Sequence, residues 1–292
     1  MGTYRIVTDS TTDLTPELIQ ELDVQVIPLC YIMEGKTYHN IPGGGEMTDR
    51  EFYAKLRAGS MSTTTQVNSE EFLRVFTPLL EAGQDVLYIG FSSGLSGTYQ
   101  SAALAREELK QRFPGRRLEV FDSRCASMGE GLLVYHAAKL QQAGKSLDEV
   151  LSWLKENVLN LCHWFTVDDL NHLKRGGRVS TATALVGTML GIKPIIHVNN
   201  EGKLIPVGKA RGRKAGVESL LKTMEEKFVK EDNDVVYICH ADCLEDAQQT
   251  AKQIKQRFGV KEVYINYIGA VIGSHTGCGT MAVFFLGDKR DM

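Results

Sequence analysis

Residues 90–102 read GFSSGLSGTYQSA. The apolar run DVLYI precedes them, and ALAREELKQRF follows with its apolar residues at helical spacing. The unit is therefore a strand, a tight turn of small residues, and a helix. Gly90 to Gly94 also spell G-x-S-x-G, the form of a hydrolase nucleophile elbow. From its residues alone the turn has two readings: a nucleophile at Ser92, or a cradle that holds a ligand without reacting with it.

The same rhythm runs outward on both sides. YRIVTDS reads as a strand, and Thr15-Pro16-Glu17 opens a helix with Thr as N-cap and Pro at the first helical position. VQVIPLCYI reads as a second strand and IPGGGE as a loop. Thr48 with Glu51, and Asn68 with Glu71, have the spacing of capping boxes ahead of two further helices. After residue 102 come the strand RLEVFDS and a long helix over about 126–144. Strands alternating with helices imply a parallel sheet. The first 160 residues are thus expected to form an α/β domain.

From 161 to 292 the pattern changes to an α+β domain. The segment WFTVDDLNHLKRGGRVSTATALVGTMLG reads as helical, and KPIIHVNNEGKLIPVGKARGRK reads as a hairpin turning at Asn-Asn-Glu-Gly. Two helices are expected around the strand DVVYICH. The closing stretch VYINYIGAVIGSHTGCGTMAVFFLG reads as two strands joined by a glycine-rich turn.

The 292 residues are 43% hydrophobic and 24% charged with a net charge of −3, which fits a globular protein with a substantial core. The charge balance gives no footprint for nucleic acid. No apolar run reaches transmembrane length, and the N-terminus lacks the pattern of a secretion signal. Cys239-His240-Ala241-Asp242-Cys243 superficially resembles a metal site, but its place in an apolar strand-to-loop segment favours a structural reading. The six scattered cysteines read as reduced thiols, and the expected location is cytoplasmic.

Three loops share short hydroxyls, glycines and almost no acids: MSTTTQV (61–67), FSSGLSGT (91–98) and GSHTGCGT (273–280). Hydroxyls, glycine N–H groups and helix N-termini together suit an anion, and His275 could add a positive charge. Asp9, Ser10, Thr11 and Thr12, and Asp122, Ser123, Ala126, Ser127 and Met128, are secondary candidates beyond strand ends. Taken singly, each loop also reads as ordinary caps and turns. In the hydrolase reading His275 would serve Ser92 as base and Asp168, Asp169 or Asp242 would supply the acid, but no HGGG-like stretch offers an oxyanion hole.

Seven segments in order resemble the DegV family of bacterial fatty-acid-binding proteins: VTDSTTDL (7–14), STTTQVNSEEF (62–72), SSGLSGTYQSA (92–102), DSRCASMGEGLL (122–133), LKRGGRVS (173–180), GIKPII with GKARGRK, and IGSHTG (272–277). The usual Thr-Ser-Gln-Pro of that family is Thr64-Thr65-Gln66-Val67 here, which keeps the hydroxyl and puts only the local loop shape in doubt. The resemblance implies two α/β-type domains with a fatty acid between or beneath them. It implies a carboxylate held by Thr64, Ser93 and His275, with Thr65, Gln66 and Gly94 beside them, and no catalytic residue, metal or cofactor of the chain's own. It further implies a non-catalytic carrier subunit of fatty acid kinase, which presents the acid to a separate catalytic subunit for ATP-dependent acyl-phosphate formation, feeding phospholipid synthesis.

The physics suits a cradle. About 14 buried methylenes at roughly 0.8 kcal/mol each give a gross term of about 11 kcal/mol, and a carboxylate in such a tunnel requires converging donors. TATALVGTMLGI (181–192), GLLVYHAAKL (131–140) and the aromatic strand ends are candidates for the apolar wall, though such segments are more often plain core. Lys174, Arg175, Arg178, Lys209, Arg211, Arg213 and Lys214 concentrate positive charge. By themselves they read as solvated loops; the resemblance implies that they, with Arg175, Arg178, Arg211 and Arg213 at their centre, form a docking face for the kinase subunit, for the phosphates of its ATP, or for transient contact with a membrane.

Overall fold

The computed structural model describes residues 4–179 and 191–291. Four strands of the first half, β1 (Tyr4–Asp9), β2 (Gln25–Ile27), β6 (Asp85–Gly90) and β7 (Leu118–Asp122), form one parallel sheet in the order β2-β1-β6-β7. The helices between them are α1 (Pro16–Leu22), α2 (Asp49–Arg57), α3 (Ser69–Glu81) and α4 (Thr98–Arg112). The Thr15 hydroxyl accepts from Leu18 N, and Thr48 and Glu51 close a full capping box. Asn68 caps α3 through Glu71 N, but the reciprocal half does not form: the Glu71 carboxylate is engaged by Arg74 instead.

Two expectations about the first half change. VQVIPLCYI is two strands, because Pro28 offers no N–H to continue the ladder. β3 (Cys30–Met33) leaves the parallel sheet and turns at Glu34-Gly35, both with positive φ, into β4 (Lys36–His39). That pair of conformations suits the twist of a two-residue hairpin. The polar segment 61–67, expected as a loop, holds β5 (Ser62–Thr65), which pairs with the other side of β3 in a three-stranded antiparallel sheet of order β4-β3-β5.

The second half forms a six-stranded mixed sheet, order β10-β9-β8-β13-β11-β12, from β8 (Leu161–Thr166), β9 (Ile192–Val198), β10 (Leu204–Arg211), β11 (Val235–His240), β12 (Glu262–Tyr267) and β13 (Met281–Leu286). The β9–β10 hairpin and the strand at β11 form as expected. Residues 164–166, placed in a helix by the sequence reading, belong to the strand β8 instead; only α7 (Asn171–Arg175) is helical in that segment among the described residues. β12 and β13 do not pair with each other but flank β11 on opposite sides, and a helix separates them. The remaining helices are α5 (Met128–Gln142), α6 (Leu147–Asn157), α8 (Arg213–Lys227), α9 (Leu244–Phe258) and α10 (Ala270–Thr276).

α5 joins the two sheets. Its first seven residues are all buried, and two glycines let it lie close on both sides. A Cβ on Gly131 would sit 2.8 Å from Thr12 O, beyond β1, and one on Gly129 would sit 3.0 Å from Phe284 on β13. One core accordingly runs through both halves, from Ile6, Phe72 and Tyr88 through Leu132 to Phe165 and Phe284. A second core, with Trp164, Leu220, Ile238 and Phe285, covers the other face of the six-stranded sheet. Burial on both faces explains why β8, β11 and β13 are buried at every position rather than alternating.

Candidate functional site

A cavity of about 400 Å³ lies among the loops beyond β6 and β7, strand β5, helix α10 and the inner face of β8 and β13. That volume is within the range of small-molecule pockets, roughly 300–1,000 Å³. Its apolar wall includes Phe91, Leu95, Phe165, Leu173, Leu204 and Ile272. Residues 131–140, one expected source of that wall, are core of α5 instead. Of the other expected source, 181–192, residues 181–190 lie outside the described residues.

The polar end is built from the two halves. Pairing with β3 sets Thr64 opposite Tyr31, and strand alternation turns Thr64 inward while Thr65 is exposed. His275 rides on α10, whose start is pinned by the first half. Gly269 N donates to Asp13 Oδ1 (3.0 Å), Ala270 N to Asn40 Oδ1 (3.1 Å), and the Tyr53 hydroxyl donates to Ile268 O (2.6 Å). Ser274 Oγ on the same helix reaches Ser62 Oγ of β5 at 2.7 Å. The outcome is a 2.8 Å hydrogen bond between Thr64 Oγ1 and His275 Nε2. A side chain at Gly176 would collide with the His275 ring, so the glycine is needed for the ring to fit.

Burial, aided by the nearby Arg178 charge, pushes the His275 pKa down to about 4. The ring is therefore neutral near pH 7 and does not supply the positive charge that its residue type had suggested. Arg178 supplies it. The tight turn at Gly176-Gly177, with φ +70° at Gly177, brings Arg178 back to the cavity wall. There its guanidinium donates to Leu95 O (3.1 Å) and to Gly176 O. Among the described residues it is the single charged side chain of the lining, and burial lowers its pKa.

The other candidates separate. Thr65 and Gln66 line the cavity, and Gln66 Nε2 also donates to Ser101 Oγ at 3.3 Å. Ser93 and Gly94 do not line it. The Ser93 hydroxyl donates to Asp122 Oδ2 at 2.6 Å, and Gly94 packs beneath the β9–β10 turn, where a Cβ would meet Glu201 O at 2.7 Å. Ser96 and Gly97, in the same loop, line the cavity in their place. Ser127 lines it too, with its hydroxyl given to Asp13. Asp9 is structural. Buried, with its carboxyl pushed up by burial, it accepts from Thr11, from the Tyr88 hydroxyl (2.6 Å) and from Phe91 N (3.1 Å), tying the loops after β1 and β6 together.

The basic residues differ in their surroundings. Arg175 is exposed and bonded to His172, and Arg211 is exposed on β10. Arg213 is tied down by Asp246 (2.8 Å), Gly279 O and Cys243. Ser92 is fully buried, with its proton directed to Gly202 O at 2.8 Å, while His275 is engaged with Thr64. The hydrolase constellation is therefore not assembled. Among the described residues no group of three or more His, Cys, Asp or Glu side chains converges as metal ligands, and no helix is long and apolar enough to cross a membrane.

With the geometry in view, the comparisons with known proteins are decisive. A family model described as "Uncharacterised protein, DegV family" matches residues 3–288. The chain belongs to the DegV family. A DegV domain-containing protein of Clostridium perfringens is 46% identical over the full length of both chains. Among solved DegV structures, one described as showing fatty acid binding, from Thermus thermophilus, superposes with a TM-score of 0.86 at 36% identity, covering 98% of this chain and 100% of that one. The Bacillus subtilis protein, described as a fatty acid binding protein, gives 0.84 at 29% identity, covering 99% and 100%. The DegV fold thus accounts for the mixed α/β architecture over essentially the whole chain, and the seven sequence segments that resembled the family lie in one DegV chain.

Proposed function

We propose that this DegV protein binds a long-chain fatty acid in the 400 Å³ cavity and presents its carboxylate to a separate kinase subunit, which uses ATP to form an acyl phosphate for phospholipid synthesis. The observation that carries this reading is a largely apolar cavity whose lining includes the Thr64–His275 pair and Arg178. Fatty acid binding described for relatives at 36% and 29% identity supports it. Thr64 and neutral His275 would offer hydrogen bonds, and Arg178 would offset the acid's charge, the combination that makes a desolvated carboxylate tolerable. Arg175 and Arg211, exposed beyond the cavity, are the docking residues that fit this reading. A division into domains at 160/161 is part of the same proposal, with the cavity between the two halves.

Organic extraction of the purified protein, with the lipid identified by mass spectrometry, tests binding. Addition of ATP and a fatty acid kinase catalytic subunit then tests presentation through formation of acyl phosphate. The isolated chain is expected to release no p-nitrophenol from acyl esters, because Ser92 has no base. Esterase turnover abolished by both Ser92→Ala and His275→Ala would overturn the carrier reading, as would a purified protein that neither contains nor takes up a fatty acid.

A further inference from the structure

A second cavity, of about 300 Å³, lies against the first. Thr64, Arg178 and His275 line both and form their common border. The chemistry of the second is different. It carries two guanidinium groups, Arg175 and Arg178, the imidazoles of His172 and His275, and hydroxyls from β5 and from Ser274, and among the described residues no carboxylate lines it. Asp169, which acts on the His172 pKa, accepts from Asn171 N at 2.9 Å and is not part of the wall. Arg175 is exposed, and its Nη2 lies 3.1 Å from His172 Nδ1. A guanidinium can only donate, so Nδ1 accepts and the imidazole proton sits on Nε2. Burial, aided by the Arg175 charge, lowers the His172 pKa. The wall therefore offers neutral donors and two fixed positive charges, with no acid on it to cancel them.

We propose that the second cavity is an oxyanion site, which holds the phosphoryl group of an acyl phosphate while the acyl chain stays in the first. This rests on the fatty-acid reading and adds a subsite to it. Phosphorylation extends the ligand at its head, across the border that the two cavities share. It also raises the charge from about −1 to about −2 near pH 7. Arg178, on the border, serves the first charge. Arg175 lines only the second cavity and serves the second. Arginine and hydroxyl donors together suit the three acceptor oxygens of a phosphoryl group. The chain is thus built to hold the phosphorylated ligand more firmly than the acid. A free phosphate has the same chemistry and is the other possible source of the anion.

The test is displacement of fluorescent cis-parinaric acid from the delipidated full-length protein at about pH 8. The competitors are palmitic acid and 2-oxoheptadecylphosphonate, the isostere of palmitoyl phosphate with a methylene in place of the bridging oxygen. Both are expected to displace the probe, the phosphonate about 10- to 100-fold more tightly. Arg175→Gln is expected to remove most of that advantage and leave palmitic acid binding unchanged. Arg211→Gln, exposed on β10 and outside both cavities, is expected to change neither affinity, which separates a local site from general attraction. Phosphorus NMR of inorganic phosphate with the palmitate-loaded protein distinguishes the sources. Line broadening that disappears in Arg175→Gln shows that the cavity also takes free phosphate; an unbroadened line shows that it holds the group only when tethered to the chain. A phosphonate that binds no more tightly than palmitic acid, an advantage that survives Arg175→Gln, or an equal loss in Arg211→Gln would overturn the proposal while leaving the fatty-acid reading intact. If neither competitor displaces the probe, the fatty-acid reading falls and this proposal with it.

Discussion

Thr64 Oγ1 and His275 Nε2 meet at 2.8 Å across a separation of 211 residues. One comes from an edge strand of the small antiparallel sheet and the other from a short helix between two strands of the large one. The hydrogen bond fixes the ring in the cavity wall and couples the two halves at that point.

Thr64→Val removes the hydroxyl and keeps the β-branched shape that suits a strand. Fatty acid affinity is expected to fall by about 1–3 kcal/mol, roughly 5- to 150-fold. Ser93→Ala is expected to matter less, because the Ser93 hydroxyl is directed to Asp122 rather than to the cavity. Titration calorimetry of both variants checks the order; an equal or larger loss in Ser93→Ala would show that Ser93 leaves Asp122 for the ligand.

Arg178 and Arg211 are close in type and different in place. Arg178→Gln is expected to weaken fatty acid binding by about 1.5–3 kcal/mol through the lost charge-assisted bond. Arg211→Glu is expected to leave affinity unchanged, slow acyl-phosphate formation with the kinase subunit, and reduce the salt sensitivity of that reaction. Measuring lipid affinity and kinase rate on the same preparations separates the two roles.

Glu130 is fully buried and shares the Thr11 hydroxyl with Asp9: Thr11 Oγ1 lies 2.5 Å from Asp9 Oδ1 and 2.8 Å from Glu130 Oε2. One hydroxyl proton cannot serve both carboxylates. Burial, with Asp9 adding to it, raises the Glu130 pKa well above 4.5. The folded state therefore holds a proton that the unfolded state releases, and stability falls as pH rises above about 4.5 toward the folded pKa. Glu130→Gln keeps the shape without the titration. Its urea midpoint is expected to fall less than that of wild type between pH 5 and pH 8; parallel pH profiles would show that Glu130 is not the protonated group.

Arg290, 1% exposed, donates to Leu161 O (2.9 Å), Arg124 O (2.8 Å) and Val158 O (2.5 Å) with no carboxylate among these partners. It stitches the chain end to both halves. Arg290→Met leaves those carbonyls unpaired and is expected to lower stability by about 3 kcal/mol or more, read as a lower urea midpoint at unchanged slope.

Local physics was legible in the sequence. The helix starts at Pro16, Asp49 and Ser69 follow from caps that act within four residues, the β9–β10 hairpin follows from its turn, and the parallel half follows from strands alternating with helices. The polar loop segments drew attention to Thr64 and His275 because hydroxyls, glycines and a histidine are the chemistry a buried acid needs. Tertiary structure alone decided the rest. Ser62–Thr65 carries no hydrophobic alternation, so only the open side of β3 makes it a strand and turns Thr64 inward. His275 has the composition of a cation and becomes neutral because neighbours remote in sequence exclude water from it. Arg178 and Arg211 look alike in the chain; a glycine turn folds one into the cavity, while the other stays on an exposed strand. Burial and desolvation are properties of contacts between distant segments, and for that reason residue type proposed the chemistry of the site while packing assigned each residue its part in it.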